Sequence, residues 1–360
     1  MMNEGIKPQN KKGGIGNVQD YLNTQIPVKE NFSNAYSSPV LTMIEQATLT
    51  KKTPNVNIDV LAGKNSVTYP TKNGGSFTLS LLNNIKGLRE MRTTTHQLLD
   101  IMLMATCAKI QNGITPEIEM SLTEFMYYRN LKDRKHASRQ LKKDLDVLYS
   151  ASISYMPDVN PNAEQPIKPF ANVRIIESES AANGSFKFRV ATTFYEKVLS
   201  TCSIIPMPIK LFAVNSQKAP TAYYIGLKFT QAKYMNAGTP RADKLSTQSI
   251  MRCLPNIPSM DEVKQKDRNY IKHIIEPIET GLNELVSCGT FKEWFYVDGK
   301  GERYESLMNF QIFKDLFVQV DWGNYPSDTD SYKRRIAKKT NKDAPSKPKK
   351  PRTKKAKAEN

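Results

Sequence analysis

Histidine and cysteine are scarce in this chain, and the scarcity excludes several chemistries at once. The three histidines, His96, His136 and His273, lie more than thirty residues apart. No close pair is available to hold a divalent metal. The four cysteines, Cys107, Cys202, Cys253 and Cys288, form no CxxC pair, so neither a zinc site nor a disulfide framework is indicated. Glycine-rich phosphate loops are missing too. Gly13-Gly14 and Gly74-Gly75 are not followed by Lys-Ser/Thr, and Gly299-Lys300-Gly301 reads as a hairpin turn. No apolar run is long enough to cross a bilayer, and Met1 to Asp20 is polar and glycine-bearing, unlike a signal peptide. The expectation is a cytoplasmic protein with no cofactor, no metal, no membrane contact and no enzymatic centre.

Acidic residues are the other deficit: 35 Asp and Glu stand against 52 Lys and Arg, a formal charge of +17. That balance favours a polyanionic partner. Much of it is terminal. From Lys333 onward thirteen basic residues face only Asp343 and Glu359, which leaves a net charge of six for everything before. Prolines 345, 348 and 351 interleave with Lys347, Lys349, Lys350, Arg352, Lys354 and Lys355, so this segment cannot build a core and is expected to make nonspecific phosphate contacts. At 360 residues the chain has room for two domains with cores of their own.

Ser121 to Tyr155 carries the densest pattern. Ser121 and Glu124 have capping-box spacing, and Leu122, Phe125 and Met126 supply a buried stripe. The polar run Asn130-Leu-Lys-Asp ends that helix, and another is predicted from Arg134. Its apolar positions Ala137, Leu141, Leu145 and Leu148 share one face of a 3.6-residue period. Lys135, Arg139, Lys142 and Lys143 lie opposite, relieved only by Asp146. Ala151 to Tyr155 alternates as a strand, and a loop over Asp158 to Ala171 leads to a second strand at Asn172 to Ser178, the two forming a predicted wing. Upstream, Thr93 to Ile110 reads as a heavily apolar helix and Glu117 to Met120 as a short strand. Helix, strand, helix, helix and hairpin is the order of a winged helix. A cationic helix followed by a hairpin suits docking in a major groove with the hairpin near phosphates. A solvated basic face on an ordinary α+β domain would use the same residues.

A second pass of the pattern begins near Pro220. Ala222 to Met235 is predicted as a helix apolar on one side, and Ser246 caps a short helix with Ile250 and Leu254. Ser259 and Glu262 then open a long helix whose buried face is Met260, Val263, Tyr270, Ile271, Ile274, Ile278 and Leu282, with a kink at Pro277. Gln265, Arg268, Asn269 and Lys272 occupy the other face. Thr290 to Val297 and Phe310 to Val320 read as the strands of a second wing. The expected architecture is therefore α+β: an arm over residues 1–74, partly disordered, with a short helical periodicity from Val40; winged-helix domains over 75–218 and 219–325; and a disordered basic tail over 326–360.

Two stretches resemble a known family, the replication initiator proteins of bacterial plasmids and related mobile elements, in the versions found in Gram-positive bacteria. The first runs Ser121-Leu-Thr-Glu-Phe-Met, Lys132-Asp-Arg and Gln140-Leu-Lys-Lys-Asp-Leu-Asp-Val-Leu. The second runs Asp243-Lys-Leu-Ser-Thr-Gln-Ser-Ile, Leu254-Pro-Asn-Ile-Pro-Ser, Asp267-Arg-Asn and Ile274-Ile-Glu-Pro-Ile-Glu, with Leu282. The resemblance spans residues 75 to 322. It implies a protein that binds repeated duplex sites (iterons) at a replication origin, helps melt an adjacent AT-rich tract, recruits host helicase-loading or initiator proteins, and switches between homodimer and monomer. In many relatives the first winged helix lies at the dimer contact and the second makes base contacts; DNA contact here would fall on Lys135, Arg139, Lys142 and Lys143 in the first domain and on Gln265, Arg268, Asn269 and Lys272 in the second. The histidine spacing does not supply the metal-binding pair that rolling-circle nicking requires. A winged-helix transcriptional regulator, or a partition adaptor of a mobile element, would carry the same modules; RNA binding through the tail is a third reading.

Overall fold

The computed structural model describes residues 26, 31–46, 57–61, 64–70, 75–82, 91–157, 168–182, 184–254, 257–258, 269–305, 309–325 and 333. The tail candidates Lys347, Lys349, Lys350, Arg352, Lys354 and Lys355 lie outside these residues, as do Gln265 and Arg268 and the helix start expected at Ser259.

The described course begins with β1 (Phe32–Ser37) and α1 (Pro39–Gln46), followed by the antiparallel strands β2 (Asn57–Leu61), β3 (Lys64–Pro70) and β4 (Ser76–Leu82). The first repeating unit follows: α2 (Thr93–Lys109), β5 (Ile118–Ser121), α3 (Leu122–Tyr128) and α4 (Arg134–Ser150). Ser121 caps α3 by accepting from the Glu124 amide at 3.0 Å, and Asp133 caps α4 by accepting from His136 at 3.0 Å. Ala137, Leu141, Leu145 and Leu148 are all buried, as their period requires. Beyond α4 come β6 (Ala151–Met156), β7 (Phe170–Arg174), β8 (Ile176–Ala182), β9 (Ser185–Val190), α5 (Thr192–Lys197) and β10 (Ser203–Pro208).

The wing of this unit is not where strand alternation placed it. β6 pairs with β4 and β7, inside a five-stranded sheet of order β2-β3-β4-β6-β7. The wing is β8 and β9, which join β5 in the order β5-β9-β8. The strand read over Asn172 to Ser178 is in fact the end of one strand and the start of another, divided at the fully buried Ile175. Alternation identifies a strand but not its partner. β6 does pair with the strand that follows it, but on its other edge Ala151 and Ile153 pair with Leu81 and Leu79, which makes it a central strand of the larger sheet rather than part of the wing.

The second unit repeats the order with α6 (Ala222–Met235), β11 (Lys244–Ser246), α7 (Thr247–Cys253), α8 (Glu276–Ser287), β12 (Glu293–Val297), α9 (Phe310–Phe313) and β13 (Phe317–Asp321). Its sheet runs β11-β13-β12, the first unit's arrangement again. Ser246 caps α7 as Ser121 caps α3. The two units are tandem winged helices in an α+β chain. Phe310 was read as the start of a strand; it opens α9 instead, capped by Asn309 at 2.9 Å, and only Phe317 onward is extended.

A turn of π-helix, Ile271–Ile275, leads into α8, with the Glu276 amide bonding to the Ile271 carbonyl. Pro277 explains it: proline has no amide hydrogen and crowds the preceding turn, and widening that turn by one residue relieves the clash. The insertion shifts the helical phase. Ile271, expected inside, is 43% exposed, and Ile275 is buried beside Ile274, Ile278 and Leu282.

The units are not separately cored. Buried side chains form one continuous cluster from Ile26 to Trp322. α6, expected to be apolar on one side, is buried nearly all round, and so is α2. The amino-terminal segment contributes as well. β1 pairs with β10, lies on α2 and brings Phe32 to within 5.3 Å of the Tyr325 ring of the second unit. Ile209 donates to Asn31, so odd-numbered residues of the β10 segment aim their amides at β1 and Pro206 and Pro208 fall on the alternate positions, where no donor is needed.

Candidate nucleic-acid interface

α4 turns the cationic side expected of it to solvent in the first unit. Lys135, Arg139, Lys142 and Lys143 are all exposed, with no carboxylate within salt-bridge distance among the described residues. They are not equivalent. Burial and then the charge of Asp146 raise the pKa of the Glu179 carboxyl on β8, and Lys142 acts against them. Arg139 faces Asp133 in the same way, so Lys135 and Lys143 form the less compensated part of the ridge.

The buried apolar face of α4 turns the ridge outward, and a buried carboxylate that the sequence reading did not single out anchors it there. Asp144 Oδ1 accepts from Thr95 at 2.7 Å and Thr94 at 3.1 Å, and Oδ2 accepts from Gln140 at 3.0 Å. Burial raises its pKa, and these donors pull it back. The bonds tie α4 to the start of α2 and fix its rotation. The Gln140–Asp144 spacing of four was the available signal.

Arg134 is a further residue that sequence reasoning missed. Its Nη1 donates to Thr123 on α3 at 3.4 Å, and its guanidinium lies over the wing turn, where a Cβ on Gly184 would sit 2.6 Å from Nη2. Gly184 has a φ of +79° and also accepts from the Leu122 amide at 2.8 Å, so helix start and wing tip are held together. The wing itself carries little available charge. Lys187 is paired with Glu119 at 3.4 Å, and Ser185 donates to the same carboxylate at 2.7 Å.

The second unit divides its charge differently. Asn269 and Lys272 are exposed, and the Asn269 side chain accepts from the Lys272 amide at 3.4 Å, so Asn269 organises the turn rather than standing clear of it. Exposed Glu276 follows one turn later, and this helix face is less cationic than α4. On the wing, Lys300 is exposed at the tip beside exposed Glu302, and Arg303 is paired with Glu305 at 3.7 Å. Asp298 accepts from the amides of Lys300, Gly301 and Glu302 at 2.8–2.9 Å, closing a tight turn that leaves Lys300 exposed. Those bonds, that of Glu302 foremost, hold the Asp298 carboxyl below its usual pKa. Lys244 donates to the Asp298 carbonyl at 3.2 Å, and Arg303 lies 4.6 Å from the Phe295 ring centroid. The first unit therefore offers a charged helix with a neutral wing, and the second offers a mixed helix with a wing whose cations are matched by neighbouring carboxylates.

Among the described residues no cluster of His, Cys, Asp and Glu is arranged to hold a metal, and no helix is long and apolar enough to cross a membrane. No protein-family model matches the chain, and no curated protein matches it. Among solved structures it is similar to the Pi initiator protein in complex with iteron DNA, at 11% identity and a TM-score of 0.41, covering 65% of this chain and 92% of that one. It is also similar to domains 2 and 3 of RctB, in the selenomethionine derivative at 12% identity and a TM-score of 0.43, covering 79% of this chain and 98% of that one. A second structure of the same RctB domains gives 10% identity and a TM-score of 0.42 over 78% and 96% of the respective chains.

Proposed function

We propose that this chain is a replication initiator that binds repeated duplex DNA sites at the origin of a plasmid or other mobile element and makes or breaks no covalent bond itself. The observation that carries the reading is the repetition. Two winged helices of identical strand order share one core, and each turns a helix bearing exposed cations to solvent. One such face is commonplace; two on a joined frame suit one duplex gripped at two places. The motif resemblance at Ser121 to Leu148 and Asp243 to Leu282 points the same way. In this reading Lys135, Arg139, Lys143 and Lys272 approach base edges, with Gln265, Arg268 and Asn269 extending the second contact. Lys142, Lys300 and the tail cations from Lys347 to Lys355 meet phosphates. Melting of an AT-rich tract, recruitment of host helicase-loading proteins, a dimer-to-monomer switch and association with plasmid DNA in the bacterial cytoplasm belong to the same proposal.

Footprinting of the purified full chain across the DNA flanking its own gene tests it. Protection of several direct repeats next to an AT-rich tract, with permanganate-reactive thymines appearing in that tract, is the expected result. Protection of a single inverted pair overlapping a promoter would make the protein a transcriptional regulator instead.

A further inference from the structure

α2 and α6 are the first helices of their respective units, and they meet along a seam that is polar where helices sharing a core are ordinarily apolar. From α2 it receives Thr93, His96 and Asp100, with Gln97 on the same face by helical spacing; from α6 Tyr223 and Tyr224; and from the end of α3 Arg129. The Tyr223 hydroxyl donates to the Asp100 carboxylate, the Thr93 and Tyr224 hydroxyls lie 3.3 Å apart, and the His96 ring meets Tyr224 edge-on at 6.2 Å. Other groups there have no protein partner among the described residues: both ring nitrogens of His96, the side-chain amide of Gln97, and Nε and Nη1 of Arg129. Each such group gives up its hydration without a hydrogen bond to replace it.

A seam of this composition contributes orientation more than adhesion. Apolar burial is non-directional and tolerates a range of helix crossing angles, whereas a hydrogen bond weakens steeply when it is bent. Tyr223 is fully buried, and its bond to Asp100 joins the first helices of the two units directly. Further links between the units, among the described residues, run through β1, β10 and α1, as in the bond from Gln231 to Thr42 at 3.2 Å.

We propose that Tyr223 and Asp100 are positioning residues: their hydrogen bond sets the angle between the two winged helices, and with it the spacing at which the two DNA-contacting faces meet one duplex. The proposal rests on the DNA-binding reading above. It assigns a specificity for spacing to residues that touch no DNA.

The test uses duplexes enriched by the full-length protein from a random forty-base-pair library, rebuilt with two base pairs inserted between the protected halves. Such an insertion displaces one half by about 7 Å and turns it by about 70° around the duplex axis. Wild-type protein is expected to lose at least tenfold in affinity. Tyr223→Phe and Asp100→Ala should lose threefold or less on the same insertion. Asp100→Asn, whose amide oxygen still accepts from Tyr223, should restore the wild-type penalty. Melting temperatures accompany each variant. A merely structural role would weaken every spacing equally in proportion to lost stability, and that outcome overturns the proposal. So does a wild-type protein indifferent to insertion, or a Tyr223→Phe variant as strict as wild type, and both leave duplex binding itself standing. Failure to enrich any sequence removes the underlying reading as well.

Discussion

Replacing His96 with phenylalanine isolates the electrostatics of the seam. Phenylalanine keeps a ring against Tyr224 and removes the titratable group and its two unpartnered nitrogens. Burial pushes the His96 imidazole down to about 3, against about 6.5 when unfolded. Between those values the unfolded chain takes up a proton that the folded chain refuses, so stability falls as pH drops through that window. From about pH 7 to about pH 4.5 the loss through this one group is about 2.5 kcal/mol. Asp100, one turn away, works in the opposite sense. Burial raises its carboxyl to about 7, with the Tyr223 bond pulling down, so the folded chain holds a proton that the unfolded chain releases, and acidification stabilises through it. The absolute pH profile of wild type therefore mixes two terms of opposite sign. The difference between wild type and His96→Phe does not. Urea unfolding followed by circular dichroism at several pH values should show the variant within about 1 kcal/mol of wild type or more stable near pH 7, with the gap moving by about 2.5 kcal/mol in the variant's favour by pH 4.5. A gap independent of pH would refute the assignment of His96 as a buried neutral imidazole.

Other outcomes follow from the same geometry. Gly281→Ala should destabilise by about 1–3 kcal/mol, because α8 crosses α6 so closely that a Cβ would lie 3.0 Å from Ile225 Cδ1 and 3.1 Å from the Ala222 nitrogen; an unchanged melting temperature would contradict it. Leu145→Ala, at a fully buried position, should cost about 2–5 kcal/mol in unfolding experiments while the folded fraction keeps its DNA preference. Lys143→Ala should weaken duplex binding more than Lys142→Ala, since Glu179 already offsets Lys142; equal losses by fluorescence anisotropy would show that Glu179 is irrelevant to the bound state. Deleting residues 333–360 should flatten the dependence of affinity on salt and leave sequence preference intact, whereas loss of all binding would move the interaction to the tail.

The parts of the fold that were legible in the sequence were those governed by local chemistry. Ser121 and Ser246 sit where caps belong, and the period of Ala137, Leu141, Leu145 and Leu148 fixes both the helix and its exposed cationic side. Pairing over distance was not legible. Ala151 to Met156 alternates equally well as a wing strand or as the partner of β4, and only the intervening core decides between them. Ile271 was misplaced because a π-turn absorbs Pro277 and shifts the phase on which periodicity depends. The near-uniform burial of α2 and α6 marks helices with two neighbours, yet a sequence shows only that they are apolar. Of the interface, the α4 cations were readable by charge and spacing. Arg134 and the orienting Asp144 were not, since their significance lies in what they touch on α3, the turn at Gly184 and α2.

The central claim is that α4 and the helix entering α8 both read DNA. Competition titrations of Arg139→Ala, Lys272→Ala and the double variant, each against the enriched duplex and against random-sequence duplex, test it most directly. Each single change is expected to cost about 1–3 kcal/mol on the enriched duplex and less on random DNA, with the losses adding in the double variant. Unchanged preference for the enriched duplex in the double variant would place recognition on other surfaces and contradict the account.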